Sequence, residues 1–60
     1  MEKRYFIKVG NCFVEFLGLW HEVRMRGDYK KVTPYLTRED AKKEAIERGV
    51  RNFEIVEKLL

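Results

Sequence analysis

Staples and special chemistry are nearly missing from this chain. Its 60 residues hold one cysteine, Cys12, so no internal disulfide can form. Small secreted domains usually carry several, and the expectation is therefore a reducing, cytoplasmic compartment. There is one histidine, His21. A zinc site takes about four His, Cys or carboxylate ligands, so no metal is expected unless a dimer pools them. With one proline and four glycines there is no linker or low-complexity tract, and no internal repeat is visible. No run approaches the roughly 18 apolar residues of a membrane span. Met1-Glu2-Lys3-Arg4 leads into an alternating segment rather than a signal-peptide core, so no leader is expected.

Enzyme constellations are equally scarce. Cys12 falls opposite Val9 in the register argued below, and Val9 offers no base to activate a nucleophile. The acid pairs Glu39-Asp40 and Glu44-Glu47 fall in one helix, on or near its wet side, and a domain this small has little room to enclose a pocket. Gly10 and Gly27 are lone turn glycines, not a phosphate loop. Neither catalysis nor a cofactor is expected.

What is present is a globular composition, 45% hydrophobic and 38% charged, with a formal net charge of +3. A chain of this length is one domain, residues 1–60. It removes roughly 6,000 Å² from water on folding, about 90 kcal/mol at 25 cal/mol per Å² of the apolar part. Ordering entropy near 1.5 kcal/mol per residue offsets nearly all of that. A partner that binds only the folded state would add stability, which favours self-association or a protein contact.

Tyr5–Val9 and Cys12–Leu17 alternate as strands around Gly10-Asn11, and glycine at the first loop position predicts a type II′ hairpin. Val9 then faces Cys12, Ile7 faces Val14 and Tyr5 faces Phe16, all on one side of the sheet. Phe6, Lys8, Phe13 and Glu15 take the other side. Gly18 marks a bend or bulge. Gly27-Asp28 reads as a second Gly-first turn, joining a strand at Trp20–Arg26 to one at Tyr29–Tyr35. The rival is a disordered or partly helical excursion over Leu19–Lys31. Pro34 fits a strand end or an edge.

The helix is marked at both ends. Thr37 is the N-cap with Asp40 at N3, Glu39 and Asp40 complement the dipole, and Leu36 with Ala41 could form a staple. Arg48 closes the last turn, Gly49 takes the left-handed position, and Val50 folds back near Ala45. Ala41 and Ala45 form a small-residue stripe that lets the helix approach the sheet, while Lys42, Lys43, Glu44 and Glu47 stay wet. Phe53–Leu59 forms the last strand and returns beside the hairpin. The expected architecture is α+β: a small antiparallel sheet of three to five strands with one helix on one face, in the order β-β-(β-β)-α-β.

The stretches Phe6-Ile7-Lys8-Val9-Gly10-Asn11 and Tyr35-Leu36-Thr37-Arg38-Glu39-Asp40-Ala41, then Ala45, Gly49 and Phe53-Glu54-Ile55-Val56, resemble a loose family of small uncharacterised proteins of bacteria and phages. That family runs hairpin, variable middle, helix, strand. The resemblance covers both ends of the chain but not Leu19–Val32. It implies the fold and a phage or prophage accessory setting, and it implies no catalytic residue.

Two surfaces are candidates for a partner. One helix cannot cover both faces of a sheet, so Phe6 and Phe13, with Trp20 and Met25 adding apolar area, are expected to form a protein interface, with a homo-oligomer the first possibility. The bland alternative is that Leu19–Lys31 folds back over the phenylalanines. The second surface is the hairpin around Gly27, where Arg24, Arg26, Tyr29, Lys30 and Lys31 offer charge for phosphates and an aromatic for bases. Its bland reading is a solubilised hairpin tip.

Overall fold

The computed structural model describes residues 2–18 and 22–60. Readings that rest on Leu19, Trp20 and His21 lie outside the described residues. The elements are β1 (Lys3–Val9), β2 (Cys12–Leu17), β3 (Glu22–Arg26), a 3-10 turn at Tyr29–Lys31, α1 (Arg38–Glu47) and β4 (Glu54–Leu59). The four strands form one antiparallel sheet in the order β3-β2-β1-β4. This is the expected small α+β fold. The solvent-exposed area of 4649 Å² matches the burial foreseen from chain length.

The first hairpin follows from its turn. Gly10 has φ +61° and Asn11 stays at negative φ, as a type II′ turn requires. The resulting register sets Val9 against Cys12, Lys8 against Phe13 and Ile7 against Val14. Side chains of one parity, Ile7 and Val14, meet Ala41 and Ala45 in a buried cluster, with Tyr5, Val9, Phe16, Tyr35, Val50, Phe53 and Ile55 packed around it. The two alanines are fully buried, so α1 lies close over β1 and β4.

Both helix caps are as the sequence specifies. The Thr37 hydroxyl accepts from the Asp40 amide at 3.0 Å. Gly49 is left-handed at φ +74°, and the Val50 amide reaches back to the Ala45 carbonyl at 2.9 Å. The Leu36–Ala41 staple does not form. Leu36 is 69% exposed because Ala41 turns into the sheet and is too short to meet it. Glu44 is half-buried rather than fully wet, since Arg48 closes on it at 3.1 Å.

The second hairpin is absent. β3 forms, but its partner is β2, which it follows from Phe13↔Arg26 to Leu17↔Glu22. Gly27 keeps negative φ, and Asp28 makes the turn instead: its carboxylate accepts from the Lys30 amide at 3.0 Å and caps Tyr29–Lys31. An Asp side chain that satisfies the amide two residues on competes directly with a β-turn. Arg24 therefore stands opposite Glu15, not Lys31, and Arg26 opposite Phe13, not Tyr29.

The chain then crosses the sheet. Val32 packs on the helix-free side with Phe6 and Phe13. Three residues on, Tyr35 belongs to the helix-side cluster and exchanges backbone hydrogen bonds with Tyr5 at 2.9 and 2.8 Å. Tyr5 was expected to face Phe16. The inserted Tyr35 takes that position, and β1 and β2 diverge around it.

Candidate interaction surface

The helix-free side is not bare. Phe6 is 2% exposed and Phe13 8%, each under the turn that follows β3. Tyr29 stands edge-on to both rings, with centroids 5.3 and 6.0 Å away, and the phenylalanines meet each other at 6.0 Å. Val32 is buried beside them and Val56 packs from β4. The expectation that Phe6 and Phe13 form an exposed interface is thus corrected: they are a second small core. The cover is local in origin, because residues three apart in a 3-10 turn eclipse and bring Tyr29 and Val32 to one side.

Glu15 latches the crossing segment. Its carboxylate accepts from the Thr33 amide at 3.0 Å and from the Thr33 hydroxyl, and Arg24 approaches at 4.0 Å. The Thr33 hydroxyl holds the Glu15 carboxyl below its ordinary value against some cost of burial, helped by the Thr33 amide and by the charges of Arg24 and Arg26. A carboxyl with a depressed folded-state pKa contributes stability above its unfolded value, and loses it as pH falls through the folded one. Glu15→Gln is therefore expected to destabilise the domain at neutral pH. The gap between its urea midpoint and the wild-type midpoint should close on acidification from about pH 6 to about pH 3. A gap that stays constant would remove this role.

Arg24, Arg26, Tyr29, Lys30 and Lys31 are brought to the helix-free side or its rim, although by a route different from the expected hairpin. Arg24 and Arg26 share the parity of Glu15 and Phe13, and Lys30 and Lys31 project from the turn. Two further cations join them. The Lys8 ammonium lies 6.0 Å from the Phe13 ring and the Lys58 ammonium 5.0 Å from Tyr29. Neither was singled out in the sequence, where their distance from the Gly27 region hides them.

Met25 lies on the opposite side. It pairs with Val14 and its neighbour Val23 pairs with Phe16, so both share the side that α1 covers. Yet α1 packs on β1 and β4. Towards β2 it covers Val14 with its two alanines, and beyond Val14 its reach is the Arg48 side chain, which lies 5.4 Å over the Phe16 ring and donates to the Gly18 carbonyl at 3.2 Å. Beyond Phe16, Val23 is 51% exposed and Met25 50%. Alternation Val23-Arg24-Met25-Arg26 was visible in the sequence, but which side the helix would leave open was not.

Elsewhere little gathers. Among the described residues, no group of three His, Cys, Asp or Glu side chains could hold a metal ion. Cys12 is partly buried at the hairpin end. An open depression on α1, lined by Glu39, Lys42, Lys43, Ile46 and Glu47, is formed by the helix's own side chains. No helix among the described residues is long and apolar enough to cross a membrane. Comparison with protein-family models, curated proteins and solved structures finds no match.

Proposed function

We propose that this chain is a small non-enzymatic protein-interaction module whose contact surface is the strip of β2 and β3 that α1 leaves bare. The observation that carries it is the pair Val23 and Met25, each about half exposed on a strand at the sheet's edge. Single exposed apolar residues are ordinary. Two on one side of an edge strand, beside an arginine-topped phenylalanine, offer both apolar area and backbone groups to an incoming segment. Met25 stays a contact residue from the sequence reading, while Phe6 and Phe13 leave it.

A photo-crosslinking amino acid at position 25, compared with one at position 43 on α1, tests the reading in cells that make the protein. Position 25 should give a discrete protein adduct that Val23→Lys removes, while position 43 gives none. Equal yields at the two positions would sink the proposal.

A second reading is favoured by one observation: the cations Lys8, Arg24, Arg26, Lys30, Lys31 and Lys58 frame Tyr29 on the helix-free side. Under it the chain holds nucleic acid through phosphate contacts, with steep salt dependence. Reversing Arg24, Arg26, Lys30 and Lys31 to glutamate should then abolish binding of single-stranded DNA or RNA. No wild-type binding at low salt would exclude it.

A further inference from the structure

The two edges of the sheet are not alike. At β4 the Arg38 guanidinium donates to the Ile55 carbonyl at 3.2 Å, so a charged side chain already holds a backbone acceptor of that strand. The middle of β4 is covered on both sides as well, since Ile55 packs with the helix-side cluster and Val56 with the Phe6 cluster, although Leu59 at its end is 54% exposed. β3 has neither protection among the described residues. It pairs with β2 alone, and its apolar residues are half exposed.

The sequence of β3 also complements itself. Laid antiparallel against a second β3 with Arg24 on the twofold axis, Val23 stands opposite Met25 at two symmetric places. Glu22 stands opposite Arg26 at two more. All five residues are paired in this register. Centring on Val23 or on Met25 pairs only part of the strand and leaves apolar positions without a partner. An odd register sets Val23 against Arg26. The one unfavourable pair is Arg24 with its own copy, and each Arg24 has Glu15 of its own chain at 4.0 Å to offset it.

Resting on the contact-surface reading above, we infer that the occupant of the β3 edge is a second copy of this chain, joined β3 to β3 about residue 24. A twofold axis normal to the sheet keeps like sides together, so two four-stranded sheets become one of eight strands. On the helix side, Val23 and Met25 of each copy meet in one apolar row between the two Phe16 rings. On the other side the two basic surfaces become continuous. The contact is one short strand pair, smaller than a standard interface, so association is weak: roughly 10 μM to 1 mM.

Sedimentation equilibrium across that range should show the mass rising from 7.3 kDa towards twice that value. Met25→Lys sets lysine against valine at both symmetric places and should weaken the dimer about tenfold or more, with far-UV dichroism and amide dispersion unchanged. Arg24→Thr removes the like-charge pair and should tighten it about fivefold. In a Cys12→Ser background, Arg24→Cys should crosslink chain to chain under mild oxidant faster than Val23→Cys, because only position 24 meets itself. A monomer at all concentrations, a dimer indifferent to Met25→Lys, or faster crosslinking from position 23 overturns the inference. The photo-adduct at position 25 separates the two levels. An adduct of twice the chain mass supports self-pairing. One with a different protein overturns self-pairing and leaves the contact surface standing. No adduct, with a monomer, removes both.

Discussion

Phe6→Ala is expected to unfold the domain rather than to dissociate or solubilise it. The ring is 2% exposed and held edge-on by Phe13 and Tyr29, with Val32 and Val56 closing the cluster. Truncating a buried phenylalanine costs about 3–5 kcal/mol. A chain of this length has about 3–9 kcal/mol in total. The loss therefore takes most or all of the stability, and a urea melt at 25 °C should show little folded baseline. Phe6→Leu, which keeps most of the volume, should remain folded with a lowered midpoint. An alanine variant that melts like the wild type would mean that the turn at Tyr29–Lys31 does not cover the sheet. The exposed-phenylalanine interface would then return.

Ile7→Ala carries the second large effect, on the opposite side of the same strand. Ile7 has no exposed surface and sits between Val14 and the two alanines of α1. Alanines have no side chain that can swing into the space, and their backbone is fixed by capped helix ends. A cavity there closes poorly, which places the cost towards the upper part of the usual range of about 2–5 kcal/mol. Ile7→Val should cost only about 0.5–1.5 kcal/mol. Denaturant midpoints for the pair check this, and near-equal losses for alanine and valine would show that the helix relaxes onto the strand. Phe6 and Ile7 are adjacent in sequence but serve separate clusters, so both substitutions being severe is itself evidence for a sheet buried on two sides.

Much of this architecture was legible because it is decided locally. Gly10 at the first turn position fixed the hairpin register, and Thr37, Gly49 and the Ala41–Ala45 spacing fixed the helix and its buried side. Phe53 and Ile55 join the helix-side cluster and Val56 the Phe6 cluster, as alternation along a strand requires. The middle was misread where two local rules compete. Gly27-Asp28 looks like a turn between strands, but the Asp28 carboxylate satisfies the Lys30 amide and winds a 3-10 turn. The spacing of Tyr29 and Val32 was the available clue. The partner of β3 was not legible, since Val23-Arg24-Met25-Arg26 alternates equally well against any neighbour. Nor was the bare strip over Val23 and Met25, which depends on where a ten-residue helix comes to rest on a four-stranded sheet.

The passage of the chain at Tyr35 makes the sheet a fork. β3 with β2 forms one prong and β1 with β4 the other. They are joined by the pairs at Ile7, Lys8 and Val9, while Tyr35 is wedged between them further along. One prong grips the wedge by the Tyr5 backbone and the other by the Glu15 carboxylate. In the folded molecule the hairpin ladder therefore stops at Ile7 and Val14, and the next backbone partner of β1 on that side is Tyr35, thirty positions downstream of Tyr5. The same geometry defines how the folded molecule breathes. When the wedge withdraws, the amides of Tyr5 and Tyr35 lose their partners together, so hydrogen exchange at these two sites is governed by a single opening event.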